Sequence, residues 1–233
     1  MKTSRLQPYY QDDYCTIYQG DCLDVLPHLS DVDLVVADPP YVFGLASTAN
    51  EGKCGSWADL MNNSVYYCAW LSHCQCLTIN NSGAAWVFNS WRSYPVLARA
   101  STELKWGIRS LLVWNKECLV TGSDNGLRPT YELVALFPNP GFSIANRSLT
   151  DIWSFKWPTT KPHGHPAKKP EALISKVIEE SGAHTILDPF MGSGTTLAAA
   201  KALGRRAIGI EADKHWCNVA VERLNDNLED KTE

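Results

Sequence analysis

The sequence predicts an α/β fold, an open sheet of parallel strands with helices packed on it. Three observations predict it. Short apolar runs recur, and each stops at a polar, Gly or Pro residue, as buried strands do: Leu34 to Ala37 before Asp38-Pro39-Pro40-Tyr41, Ala84 to Phe88 before Asn89, and Ile186-Leu187 before Asp188-Pro189. Between such runs lie stretches with apolar residues at helical spacing, such as Leu173, Ile174, Val177 and Ile178. Finally, Thr185 to Glu211 reads as strand, Gly-Ser-Gly-Thr turn, helix and acid-ended strand, the order that holds a nucleotide-like ligand.

The chain has 233 residues, 45% of them apolar, enough for one large core, so a single domain over 1–233 is expected. No run approaches the roughly 18 apolar residues of a membrane span. The first residues lack an apolar signal region, so a cytoplasmic protein with eight reduced cysteines is expected. His73-Cys74-Gln75-Cys76 is the only Cys cluster, and it has no second ligand pair at zinc-site spacing. Buried thiols are the default there, and no metal is expected. The net charge of −4 by itself argues against a nucleic-acid partner. The average hides an asymmetry: Trp86 to Pro170 carries 11 Lys/Arg against 5 Asp/Glu, the remainder 10 against 20. The middle of the chain could face phosphates. A charge-mixed solvated surface accounts for the same counts.

Taken in order, residues 1 to 13 are polar and read as a poorly fixed end. Cys15 to Gln19 reads as a strand, broken by Gly20-Asp21 before a short helical turn from Cys22 to Pro27. Asp21 suits a helix N-cap, a ligand contact, or both. Leu34 to Ala37 is a buried strand that two consecutive prolines end at Asp38. That turn holds a carboxylate, a free carbonyl and an aromatic ring on a stiff frame, able to grip a flat group with an amino donor. A capping Asp with a packed Tyr is the plainer reading.

Residues 42–64, rich in Gly, Asn, Ser and Thr and containing Lys53, form a long loop beside that strand end. Val65 to Leu77 reads as a helix whose aromatics belong to the core. A strand over Gly83 to Asn89, a helix over Pro95 to Lys105, a strand over Ser110 to Trp114 and another over Tyr131 to Phe137 follow, with a polar loop at 117–130. Residues 138–166 read as irregular, with Trp153, Phe155 and Trp157 among Arg147, Lys156 and Lys161. Such interleaving suits contact with phosphates and bases, and equally a surface lid anchored by its aromatics. Pro170 to Ser181 is an amphipathic helix. Asp188-Pro189-Phe190-Met191-Gly192-Ser193-Gly194-Thr195-Thr196 then leads into an Ala-rich helix, where close backbone approach and free N–H groups suit an anionic ligand. Glu211 ends the next strand 17 residues after Gly194, near the spacing at which an acid meets ribose hydroxyls. Together these favour an adenosine-containing cofactor over bare βαβ architecture.

These residues resemble the amino-group DNA methyltransferases that use S-adenosylmethionine, in the arrangement that places D-P-P-Y before F-x-G-x-G. The resemblance rests on Gly20-Asp21-Cys22, Asp38-Pro39-Pro40-Tyr41, Tyr131 to Phe137, His165-Pro166-Ala167-Lys168-Lys169-Pro170 and Asp188 to Thr196, in the family's order. It implies a Rossmann-like methyltransferase fold: a seven-stranded, mostly parallel sheet, helices on both faces, the catalytic half first. It implies that Phe190, Gly192, Gly194 and Thr195, with Asp188, Ser193 and Thr196 around them, line the methionine end of S-adenosylmethionine. Lys169 is expected near its carboxylate, Glu211 at the ribose and Asp21 at the adenine. Asp38, with Pro39, Pro40 and Tyr41, is expected to hold the target base.

An exocyclic base amine is a poor nucleophile, because its lone pair is delocalised into the ring. The Asp38 carboxylate and the Pro39 carbonyl can each accept one amino hydrogen, which favours a pyramidal nitrogen aimed at the methyl group. The base must leave the duplex, and Tyr41 would stack on it. D-P-P-Y is associated in the family with adenine, so N6 of adenine is expected, with N4 of cytosine as the alternative. An RNA-directed enzyme or a non-catalytic cofactor binder remains open. Duplex DNA is the expected partner, read by loops 42–64, 117–130 and 138–163, with Lys53, Lys116, Arg128, Arg147, Lys156 and Lys161 as phosphate contacts. A homodimer stays open, as does whether the chain serves restriction–modification or is an unpaired, bacterial or phage-borne modification enzyme.

Overall fold

The computed structural model describes residues 6–40, 64–118, 127–158 and 169–229. In chain order the elements are β1 (Tyr10–Gln11), β2 (Cys15–Gln19), α1 (Cys22–Val25) running into a 3-10 turn at Leu26–His28, β3 (Leu34–Ala37), α2 (Ser64–Ile79), β4 (Ala84–Asn89), α3 (Tyr94–Leu104), β5 (Ser110–Asn115), β6 (Tyr131–Pro138), β7 (Ile152–Ser154), α4 (Glu171–Ser181), β8 (Thr185–Asp188), α5 (Thr195–Ala202), β9 (Arg206–Glu211) and α6 (Lys214–Glu229).

The strands form one sheet in the order β1-β2-β9-β8-β3-β4-β6-β5-β7. From β2 to β4 every pairing is parallel. β6 runs antiparallel between β4 and β5, so β5 points the same way as β4. The seven expected strands are therefore present and mostly parallel. Two short edge strands extend them: β1, antiparallel to β2, and β7, parallel to β5. Segments of two or three residues carry no periodicity to read, which is why these two were not anticipated.

Alternate strand residues feed two separate cores, because successive side chains of a strand point to opposite faces. On one face Val36, Trp86, Phe88 and Ile186 pack with Leu173 and Val177 of α4, Leu197 of α5 and Cys217 and Leu224 of α6. On the other, Val35, Ala37, Val87 and Leu187 pack with Tyr67, Trp70 and Leu71 of α2 and Leu97 of α3. The aromatics of α2 belong to the core as expected; Tyr67 and Trp70 are fully buried.

The chain start departs from expectation. From Tyr9 onward it is tied down: Tyr9 N donates to the Ile17 carbonyl at 2.7 Å, its hydroxyl bonds Asn218, and Lys201 Nζ lies 2.6 Å from Asp12 Oδ2. A polar segment needs no apolar pattern when its backbone joins a sheet edge. Among the described residues, no helix is long and apolar enough to cross a membrane.

Candidate active site

The chain leaves β8 through α5 for β9 on one side, and leaves β3 through α2 for β4 on the other. The reversal between β8 and β3 opens a crevice at their carboxyl ends, where ligands bind in open α/β sheets. Asp188 ends β8, Glu211 ends β9, and Asp38 follows directly on β3. Asp21 caps α1 just beyond β2, its Oδ1 accepting from Leu23 N at 2.9 Å. Gly20 N donates to the Glu211 carbonyl at 2.9 Å, so Asp21 and Glu211 stand at neighbouring strand ends.

The turn from Asp188 to Thr196 is held from inside. Asp188 Oδ1 accepts from Phe190 N at 3.0 Å, and its Oδ2 accepts from Thr196 Oγ1 at 2.5 Å. Burial pushes the Asp188 carboxyl up to about 7, against the Thr196 hydroxyl and the Phe190 N–H, which stabilise its ionised form. Glu211 Oε2 accepts from Gly192 N at 3.0 Å and Oε1 from Asp213 N at 2.9 Å; burial raises this carboxyl as well. Ser193 and Thr195 are buried against Arg223 of α6, whose Nη1 donates to Thr195 Oγ1 at 2.8 Å and to the Ser193 carbonyl at 3.4 Å. The Arg223 Nη2 lies 2.6 Å from Glu171 Oε2. Asp188, Thr195 and Thr196 thus brace the turn with their side chains, and Ser193 with its backbone carbonyl. Phe190 and Gly192 stay half-exposed. The Phe190 ring meets Trp70 edge-on at 5.2 Å. Among the described residues, the buried Trp70 Nε1, Tyr67 hydroxyl and Asn89 Nδ2 have no hydrogen-bond partner.

Across the crevice, charges alternate along one line. Lys169 Nζ lies 2.6 Å from Asp38 Oδ2 and 3.2 Å from Glu132 Oε2, and Lys116 Nζ lies 2.6 Å from Glu132 Oε1. The Asp38 side chain is 28% exposed; the others are 6–8% exposed. Burial opposes the charge on Lys169, yet Asp38 and Glu132 hold its ammonium above the ordinary lysine range. Burial likewise opposes ionisation of Glu132, and Lys169 and Lys116 overcome it and hold that carboxyl below its usual range.

The structure bears on two expectations here. Lys116 was expected at a DNA phosphate. It is buried instead, paired with Glu132 and held 4.1 Å over the Trp157 ring and 5.4 Å over the Trp114 ring. Lys169 was expected at the cofactor's carboxylate. Its ammonium lies between the Asp38 and Glu132 carboxylates.

Among the other basic residues, Arg128 and Lys156 are exposed at the carboxyl edge of the sheet, near where Lys116 N donates to Thr130 O and Trp157 N to Lys116 O. Arg147 lies at the opposite edge. Because β6 is antiparallel, the chain leaves it there, and Ala145 N and Asn146 N are bound to Glu180 at the far end of α4. Residues 139–151 of the expected 138–163 recognition loop therefore lie away from the crevice. The aromatics of this segment anchor it: Trp153 packs on Trp86 at 5.9 Å, and Trp157 stacks on Trp114 at 5.6 Å. Tyr41, Lys53, Lys161 and His165 fall outside the described residues, as does most of loop 42–64. No cluster of His, Cys, Asp and Glu able to hold a metal ion occurs among the described residues.

Glu132 received no role from sequence reasoning. A signal was present, since it is the one acid in the otherwise apolar and aromatic run from Tyr131 to Phe137, where a charge survives burial only if paired.

Comparison with known proteins agrees with this geometry. A family model described as DNA methylase, grouping N6 and N4 methyltransferases, matches residues 32–222. The type II methyltransferase M.HinfI of Haemophilus influenzae is 29% identical over 91% of this chain and 68% of its own length. M2.LlaDCHI of Lactococcus lactis subsp. cremoris is 26% identical over 94% of this chain and 92% of its own. Among solved structures, the M1.HpyAVI–SAM complex superposes with a TM-score of 0.72 at 23% identity, covering 91% of this chain and 99% of that one. The cytosine-N4-specific PvuII DNA methyltransferase also gives 0.72, at 17% identity, over 96% and 93% of the two chains. With a family match over most of its length, the chain belongs to the N6/N4 DNA methyltransferases.

Proposed function

We propose that this chain transfers a methyl group from S-adenosylmethionine to the N6 amino group of adenine flipped out of duplex DNA. The observation that carries the reading is the placement of Asp38. It stands at the end of β3 beside the braced glycine turn, with Oδ2 held by Lys169 and Oδ1 without a partner among the described residues. A fixed, partly exposed carboxylate is the acceptor that a base amine requires. Accepting one amino hydrogen there and another at the Pro39 carbonyl pyramidalises the nitrogen and aims its lone pair.

The residues of the crevice fit the cofactor. The glycine turn packs on α6 without room for a side chain, since a Cβ on Gly194 would approach Ala220 Cβ to 2.9 Å. Glu211 suits ribose hydroxyls, Asp21 suits the adenine amine, and Phe190 and Gly192 line the methionine end. When bound, S-adenosylmethionine supplies an already activated methyl group. Arg128 and Lys156 take DNA phosphates.

A second reading, N4 of cytosine, is favoured by the likeness to the cytosine-N4-specific PvuII enzyme. The test is incubation of the chain with labelled S-adenosylmethionine and unmethylated duplex DNA, then digestion to nucleosides and mass spectrometry. N6-methyladenine is expected. N4-methylcytosine would overturn the base assignment alone. Methylation of structured RNA, with none of DNA, would overturn the substrate. Asp38→Ala is expected to abolish turnover while leaving cofactor binding measurable.

A further inference from the structure

Asp38, Lys169, Glu132 and Lys116 alternate in sign, with neighbours 2.6, 3.2 and 2.6 Å apart. Only the first opens to the crevice. Removing each inner charge from water costs several kcal/mol before pairing, and apolar residues of similar volume usually serve stability as well. An ion line that ends on the reacting carboxylate is therefore better explained by what it does to that carboxylate. The far end is pinned from two sides: Lys116 Nζ lies over the Trp157 and Trp114 rings, and its carbonyl accepts from Trp157 N at 3.0 Å.

We infer that Glu132 and Lys116 are positioning residues that act through Lys169 to set the place and the acceptor strength of Asp38. The inference rests on the reading of Asp38 as the amine's acceptor. A lone ammonium 2.6 Å from Asp38 would drain its carboxylate of hydrogen-bond accepting power. Glu132, on the other side of the same ammonium, shares that charge. Lys116 in turn limits how far Glu132 draws Lys169 away. Among the described residues, Asp188 at the end of β8 and Tyr67 on α2 also feel the charge of Asp38. Neither bridges to Lys169.

The two positions make opposite predictions, which a merely structural role would not. In Glu132→Gln, Lys169 turns wholly to Asp38: kcat falls about tenfold to a hundredfold, and the acid limb of the kcat–pH profile moves to lower pH. In Lys116→Met a positive charge is lost: kcat falls less, and the acid limb moves to higher pH. The KM for DNA and the calorimetric affinity for S-adenosylmethionine stay within about threefold in both, as expected of residues that touch neither. Asp38→Ala is assayed alongside. If it keeps turnover, the acceptor reading and this inference fall together. If it is inactive while Glu132→Gln matches the unsubstituted enzyme in kcat and pH profile, this inference alone falls. Limbs that move the same way in both variants also overturn it. Should Glu132→Gln not fold, Lys116→Met decides: a lowered kcat with an upward-shifted limb supports the inference, and an unchanged profile overturns it.

Discussion

Gly194 and Ala220 stand so close that a single added carbon would bring them into conflict: a Cβ on Gly194 would lie 2.9 Å from Ala220 Cβ. Gly194 also has φ +75°, a left-handed conformation that costs other residues about 1–2 kcal/mol. Gly194→Ala should lose at least that much stability in chemical denaturation. It should also weaken S-adenosylmethionine binding in calorimetry, because the turn must shift away from α6. A variant as stable and as tightly binding as the parent would mean that the turn is not a fitted cradle.

Asp188 predicts a pH dependence with a definite sign. Its carboxyl is raised by burial to about 7 from 3.8, so between these values the folded chain holds a proton that the unfolded chain has released. The stability that this group contributes is fully present below about pH 4 and is lost as pH rises towards 7, with a slope of up to about 1.4 kcal/mol per pH unit. Asp188→Asn removes the titration. Its stability relative to the parent should rise from pH 4 to 7, as read from denaturation midpoints; parallel curves would contradict the assignment.

Arg223 ties three parts of the later half of the chain together: Glu171 at the start of α4, Thr195 at the start of α5, and α6 itself. Arg223→Met leaves the Thr195 hydroxyl and the Ser193 carbonyl without their donor, a loss of about 1–3 kcal/mol. Thermal denaturation should register it. Lys at this position should rescue only part, since one ammonium cannot reproduce a forked guanidinium.

The two edges of the sheet predict a contrast in DNA binding. Arg128→Ala and Lys156→Ala should each weaken binding across sequences and reduce the slope of log K against log salt by about one. Arg147→Ala, at the far edge, should change neither. Fluorescence anisotropy over a salt series distinguishes them, and an equal effect at all three positions would mean that DNA does not approach along the carboxyl edge.

Much of this was legible in the sequence because it rests on local rules. Each buried strand announced itself by an apolar run with a hard stop, and the Asp38 and Gly192-Ser193-Gly194 turns fell at strand ends as read. What escaped depends on pairing at long range. Lys116 looks like any other basic residue near a loop; only the fold brings Glu132 from the neighbouring strand against it. Arg147 and Lys156 lie nine residues apart in the same basic, aromatic stretch. The antiparallel course of β6 puts them at opposite ends of the molecule. The polar chain start likewise gains order from β2, from Asn218 of α6 and from Lys201, 189 residues beyond Asp12.

The pairing of β3 with β8 also bears on how the chain is made. Leu34 lies opposite Ile186, so the strand that leads into Asp38 is synthesised 152 residues before its partner. During that interval one side of β3 has no neighbour, and non-local parallel pairing is slow to form. The half that carries Asp38 must therefore wait, with an open edge, for the half that carries the glycine turn to emerge. Ribosome-bound fragments ending before β8 should resist proteolysis far less than the finished chain, and should be the species that chaperones hold.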